Sequence, residues 1–373
     1  MSRFSYAAAL AALIAVICAP QASRADTDPA PFKELNVRGE TAPQGIYDPS
    51  IEYAPDGTGW LAYSAVTAGP RSTVETRIAR SVDGGRTWVR AGRVNSASPA
   101  EAHLPKEGRI TGAWWHEVPT LAHDPGDKGR EWKLFWHRYL ARYPYQGDDD
   151  RMFALGWIAM RWAASPEGPW SKEIPLIGAG PFPFGMSNTR FKIQSMGPDF
   201  APYIVLTEPG ALAHKGRLYL VLQAFRLPRE GQPHSHDIVL LRSDDHGQTW
   251  HGIGRLLAAE EARAFGAKWF TGPALGVQDG RVFLMVTPEM TGRGELDHNG
   301  TLVLEFDQLD HGTLRRGADG KLKVIKRLLP TLAKGGQADF HESHPGGMVV
   351  PQVDLRNLPR AFRIFETGQR LID

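Results

Sequence analysis

Short runs in which apolar and polar positions alternate recur along the whole chain, separated by breaks rich in Gly, Pro and Asp. Five of them begin alike: YDPSIEY at 47–53, HEVPTLAH at 116–123, TEPGALAH at 207–214, TGPALGV at 271–277 and SHPGGMVV at 343–350. Each sets a polar or acidic residue ahead of Pro or Gly and then an apolar strand. The first four lead through a turn into GWLAYSAV, EWKLFWHRYL, GRLYLVLQAF and GRVFLMV, and the fifth leads to AFRIFETG. Period-two alternation over such lengths predicts strands, and its repetition predicts an all-β chain assembled from similar units.

A second pattern follows the first within the units. Ser81-Val82-Asp83-Gly84-Gly85-Arg86-Thr87-Trp88 and Ser243-Asp244-Asp245-His246-Gly247-Gln248-Thr249-Trp250 both read S-x-D-x-G-x-T-W, and Ser165-Pro166-Glu167-Gly168-Pro169-Trp170 is a looser version. The Asp side chain accepts hydrogen bonds from turn amides, Gly supplies a positive φ, and the Trp packs beneath the hairpin. The two full copies resemble the Asp-box of sialidases and related propellers, which lies between the third and fourth strands of a blade. The resemblance implies a β-propeller.

Five leading strands predict five blades, beginning near residues 47, 116, 207, 270 and 342. A six-bladed, sialidase-like ring is the alternative, although no sixth leading strand is found. The Pro/Gly-rich stretch 178–200 reads as an inserted loop. The last blade is one strand short, and ELNVRG at 34–39 is placed to complete it and close the ring.

Strands that begin at one face of such a ring bring their first residues together at its axis. Asp48, Glu117 and Glu208 head three neighbouring units and are the candidate catalytic residues. Carboxylates crowded on one enclosed site resist joint ionisation, so one pKa rises. Glycoside cleavage uses that split: one carboxylate serves as base or nucleophile, and one carboxylic acid protonates the leaving oxygen. Against this stands the plain reading of each acid, a turn former at Asp48 or an ion-pair partner at Glu117.

Through YDPSI, TEPGALAHKGRLYLV and SPEGPW the chain resembles five-bladed enzymes of the glycoside hydrolase family 43 kind. That family carries an Asp base on the first blade, an acidic pKa-setting residue on the second and a Glu general acid on the third. The resemblance implies these roles for Asp48, Glu117 and Glu208, and an inverting mechanism. It departs at Glu117, where Asp is usual, and at Pro209, where Gly is more familiar.

Candidate sugar contacts are Trp115 and Trp269, with Trp114, because pyranose C–H faces pack on indole rings. His116 and Arg190 join them, Arg190 together with Lys192 as partners for a carboxylated sugar or as a solvated loop. His344 in HESHPGG is expected to line the site, where the resemblance implies contact with a water or a central cation. Trp88, Trp170 and Trp250 read as structural turn residues, and Trp132 and Trp136 as core. No cofactor is required; a structural calcium in the channel stays open, with His344 as its contact. HESH lacks the spacing of the H-E-x-x-H zinc motif.

Three further functions stay in view. A sialidase needs three substrate-clamping Arg, a Tyr–Glu nucleophile pair and an early F/Y-R-I-P signature, whereas FRIF here lies at 362–365. Elimination of uronic-acid polymers would use Tyr47 or His116 as base. A non-catalytic propeller would hold a glycan or a partner protein on the same face.

Composition narrows the field. Arg3, the apolar run Ala7–Ala19 and the Ser23-Arg24-Ala25 ending match a secretory signal cleaved after Ala25. A lipid anchor at Cys18, preceded by Ile17, and a buried N-terminal helix are the alternatives. Residues 26–373 then form a single domain, periplasmic or extracellular. The signal would take with it the single cysteine and two arginines, leaving 41 basic and 41 acidic side chains. Such a balance gives no charge footprint for nucleic acid or anionic membrane, and no later run is long enough to span a bilayer. A carbohydrate is the partner expected; the oligomeric state is not set by the sequence.

Overall fold

The computed structural model describes residues 32–68, 72–104, 108–143, 156–179, 189–226, 235–290 and 297–373. The expected secretory signal and the middle of the loop at 178–200 lie outside the described residues.

The described chain is mostly β, and each repeated unit folds as an antiparallel meander. Gly45–Tyr53, Gly59–Val66, Val74–Ser81 and Trp88–Arg93 are hydrogen-bonded neighbours in sequence order. A six-stranded sheet runs from the hairpin Ser98–Leu104 and Gly108–His123 through Trp132–Arg142, Gly156–Ala163 and Ile174–Gly178 to Phe191–Lys192. Tyr203–His214, Arg217–Arg226, Ser235–Ser243 and His251–Leu257 make a four-stranded sheet. Trp269–Gln278, Arg281–Glu289 and Thr301–Gln308 begin a five-stranded one. The last strands, Lys334–Gly335, Val349–Val353 and Phe362–Glu366, join the first meander through one parallel pair, Phe362 with Gly45.

The alternation that predicts strands also explains how the sheets stack. Successive side chains of a strand face opposite sides. On Arg217–Arg226, Leu218, Leu220 and Leu222 enter a core with Phe135, Ile158 and Leu176 of the second sheet. Tyr219 and Val221, between them, pack with Leu275, Leu284 and Leu304 of the fourth. Trp60 and Ile78 of the first sheet meet Leu134 and Trp136 of the second. Phe283 and Met285 meet Val350 and Phe365 of the last strands, and Val349 and Ile364 meet Leu61 and Tyr63 of the first sheet. Each sheet therefore packs against the next, and the last against the first. Trp132 and Trp136 are core, as expected.

The N-terminal segment closes this circuit in two steps rather than one. Lys33–Glu34 pairs antiparallel with Phe362–Glu366, completing the last unit. Val37–Arg38 then crosses to pair in parallel with Trp88 and Val89 of the first sheet. The expected strand at 34–39 is thus shared between neighbouring units.

Both S-x-D-x-G-x-T-W turns form as their residues predict. Asp83 accepts from the Thr87 hydroxyl at 2.7 Å, the Thr87 N–H at 2.9 Å and the Ser81 hydroxyl at 2.8 Å. These bonds, the Thr87 hydroxyl first, hold its carboxyl well below the usual carboxylate range. Asp245 repeats the pattern with Thr249 and Ser243. Trp88 and Trp250 are buried beneath their turns.

Gly85 sits at φ +92°, and a Cβ there would lie 2.2 Å from the Tyr53 hydroxyl and 2.7 Å from His344 Nδ1. Gly85→Ala is expected to lose about 2 kcal/mol or more, from left-handed strain plus overpacking. Chemical unfolding measures it, and an unchanged midpoint would place the turn elsewhere.

Candidate functional site

The leading strands are not regular to their ends. Pairing with the second strand slips between Tyr47 and Ser50, between Glu117 and Thr120, between Thr207 and Gly210, and between Thr271 and Ala274. At each slip one residue is left-handed: Asp48, Val118 and Glu208 at φ 50° and Gly272 at φ 54°. Gln337, ahead of the last unit, has the same φ of 54°. A β-bulge of this kind takes a residue out of the ladder and re-aims it. For β-branched Val118 and the acids the conformation is costly, and it persists only where the surroundings impose it. Asp48, Val118, Gly272, Gln337 and Asp339 line one cavity, to which Pro209 brings the third strand.

Two of these positions carry acids in equivalent settings. Asp48 is 3 % exposed, and its Oδ2 accepts from the Ser64 hydroxyl at 2.7 Å and the Val118 N–H at 3.2 Å. Its Oδ1 is buried and accepts no hydrogen bond. Burial pushes the Asp48 carboxyl up to about 7; the Ser64 bond opposes this and the charge of Glu208 adds to it. Glu208 accepts from the Thr271 hydroxyl, from the Gly272 N–H at 2.7 Å and from the Gln337 amide at 3.4 Å. Burial raises its pKa as well, against the bonds from Gly272 and Thr271. In both cases the acid at one bulge receives the N–H of the next bulge around.

Glu117 is displaced from this series by one residue. Val118 holds the bulge of the second sheet, and Glu117 receives the hydroxyls of Tyr47 and Tyr139, one on each carboxylate oxygen. The structure therefore brings Asp48 and Glu208 to equivalent places and sets Glu117 beside them through Tyr47, the neighbour of Asp48.

The expected sugar contacts are placed less uniformly. Trp115 is buried against Tyr139, with ring centroids 5.8 Å apart, in the apolar cluster that includes Tyr47. Trp269 is buried and stacked on His236 at 3.8 Å, with Lys268 Nζ 4.0 Å from its ring centroid. His116 turns into the interior, where Nδ1 accepts the Trp136 indole N–H at 3.0 Å. Burial first, then Arg138 and Arg161, press its pKa down to about 3, so it is neutral and sequestered. Arg190 is exposed beside the outermost strand of the second sheet, its N–H bonded to the Pro175 carbonyl at 2.8 Å.

His344 does not join the cavity. It is fully buried where the last strands meet the first sheet, 2.9 Å from the Tyr53 hydroxyl and 3.5 Å from Glu366. Its place in the series belongs to Gln337, seven residues earlier. Among the described residues no group of three His, Cys, Asp or Glu side chains converges as a metal site.

Two residues enter that the motifs do not mark. Asp339, 8 % exposed, accepts the Ile51 N–H at 2.6 Å, and burial pushes its carboxyl up to about 7. His298 pairs with Glu289 at 3.1 Å and exerts its charge on both Asp48 and Glu208. Asp339 lies two residues beyond a bulge that has no Pro, and His298 on a hairpin far from any repeat.

No protein-family model matches the chain, and neither does any curated protein. Solved structures do match it. A thermostable family-43 glycoside hydrolase superposes with a TM-score of 0.52 at 15% identity, over 90% of this chain and 91% of that one. A structure described simply as a glycoside hydrolase gives 0.53 at 12% identity, over 90% and 91%. A mutant of Trypanosoma rangeli sialidase displaying trans-sialidase activity gives 0.50 at 12% identity, over 90% and 57%. At these identities the likeness establishes the fold, that of the propeller glycoside hydrolases.

Proposed function

We propose that this chain is an exported glycoside hydrolase on a five-bladed propeller, with Asp48 as base and Glu208 as general acid. The blade count is supported by the five left-handed positions and by the circuit of cores between successive sheets. The observation that carries the chemistry is the pair of acids at equivalent bulges on the first and third sheets. Both pKa values are raised by burial, and the charge of Glu208 adds to the rise at Asp48. A pair that resists joint ionisation holds one proton near neutrality, the state in which one carboxyl can donate while the other accepts. Glu208 then protonates the departing oxygen and Asp48 takes the proton of the attacking water. Glu117, fixed by the hydroxyls of Tyr47 and Tyr139, stands beside Asp48 as the third acid of the site.

The test is a panel of nitrophenyl glycosides of neutral, amino and acidic sugars. Release of nitrophenol from at least one neutral glycoside is the expected result; no release from any would overturn the reading. For export, the mature chain recovered outside the cytoplasm is expected to begin at Asp26, by N-terminal sequencing.

The Tyr47–Glu117 contact favours a second reading, a sialidase-type reaction in which Glu117 takes the proton of Tyr47 and the phenolate attacks the sugar. Turnover of a nitrophenyl sialoside, lost in Tyr47→Phe, would select it.

A further inference from the structure

The acid pair sits among negative charges, and a cationic neighbour, His298, comes from the fourth sheet. His298 and Glu289 face each other across the base of a hairpin as an isolated antiparallel bridge. Met290 N–H bonds the Asp297 carbonyl at 3.1 Å, and Asn299 N–H bonds the Pro288 carbonyl at 3.1 Å. Asn299 also bridges to Gly335, and Gly300 N–H bonds the Gly335 carbonyl at 2.7 Å. His298 is therefore pinned between the fourth sheet and the segment that leads to Gln337.

Its side chain meets Glu289 at 3.1 Å, both about 10% exposed. A chain of contacts ties this pair to the acids. Gln337 gives its amide to Glu208 and its N–H to Thr287 Oγ1 at 2.5 Å. Thr287 precedes Glu289 by two residues and so shares its face of the strand.

We propose that His298, held as an imidazolium by Glu289, is a positioning residue that keeps Asp48 and Glu208 ionisable and thereby sets the pH range of the reaction. The role rests on the hydrolase reading given above. The groups that face His298 are Glu289 on its own sheet, Glu208 from the third and Asp48 from the first. Asp297 precedes it, Lys334 lies on the strand beside Asn299, and Lys268 is turned onto the Trp269 ring. Partial burial works against the charge on His298, and Glu289, then Glu208 and Asp48, restore it beyond the ordinary histidine range. That charge in turn favours the ionised forms of Asp48 and Glu208. Without it, two carboxyls already raised by burial would rise further, and the base would be protonated over much of the neutral range.

The experiment uses the full chain labelled with 13C at Asp and Glu side-chain carboxyls, titrated by NMR as wild type, His298→Asn, His298→Lys and Glu289→Gln. In His298→Asn the Asp48 midpoint is expected to rise by about one pH unit, a tenfold fall in the ionised fraction below it. The acid limb of kcat/KM is expected to move up with it. Glu289→Gln is expected to lower the His298 midpoint and raise that of Asp48. His298→Lys, which keeps a positive charge, is expected to stay near wild type in both readouts. Unmoved Asp48 and Glu208 midpoints in His298→Asn would overturn the proposal, as would equal shifts in the Asn and Lys variants, which mark a purely structural role. If no glycoside is turned over, the hydrolase reading falls, while the carboxyl midpoints still decide what His298 does.

Discussion

Asp48→Asn is expected to cut glycoside turnover by a factor of about 10²–10⁴, the usual contribution of a positioned base. Glu208→Gln is expected to do the same only where the leaving group needs a proton. Asn and Gln keep the size of the side chain and an acceptor oxygen. The Ser64 and Val118 bonds to Asp48 and the Gly272 bond to Glu208 therefore survive, and what is removed is the proton chemistry. The two roles separate by substrate. A dinitrophenolate departs without protonation, so Glu208→Gln should cleave dinitrophenyl glycosides at close to the wild-type rate and alkyl glycosides hardly at all. Asp48→Asn should fail on both, because the attacking water lacks its base whatever the leaving group. Initial rates on the two substrate classes check this, and equal losses in Glu208→Gln on both would remove it as the general acid.

Much of this arrangement is written in the repeats, and the parts that are not have identifiable causes. The leading strands announce themselves by apolar alternation, and Asp48 and Glu208 stand directly before Pro49 and Pro209. The Pro is the better marker of the bulge than the acid. Aligned by Pro119 and Pro273, the equivalent positions are Val118 and Gly272 rather than Glu117 and Thr271. In the last unit Ala338 stands where the others have Pro, so Gln337 carries no signal, and the Pro after His344 points to the wrong place. His116 looks exposed in sequence because it neighbours an acid. In the fold, strand alternation turns it the other way, onto Trp136. His298 has no local pattern at all: its relation to Asp48 and Glu208 comes from three sheets meeting, which no window of sequence contains.

Stability is expected to fall as pH rises from about 4 to 7, through Asp48 and Asp339 in particular. Both carboxyls are pushed from 3.8 to about 7 in the folded protein, chiefly by burial. Below the unfolded value both states are protonated, and the contribution to folding is fully present. Between the two values the unfolded chain has released its protons while the folded chain still holds them, so raising the pH favours unfolding. Above about 7 the folded state must carry the buried charges, and the loss levels off. Each carboxyl would then cost up to about 4 kcal/mol at pH 8 relative to pH 4, from about 1.4 kcal/mol per pH unit. Carboxyls held low by ion pairs, such as Glu305 with Arg281, gain over the acidic part of the same range, so a single pH curve mixes the two effects. The difference between proteins isolates them. Asp48→Asn should exceed wild type in urea unfolding by only about 1 kcal/mol at pH 4.5 and by several kcal/mol at pH 8, with Asp339→Asn behaving alike. A stability difference that is the same at both pH values would mean that neither carboxyl is raised. For Asp48 the predicted gain accompanies the predicted loss of turnover. An acid kept where it weakens the fold, with one oxygen left without a hydrogen bond, is the arrangement that the proposed chemistry would require.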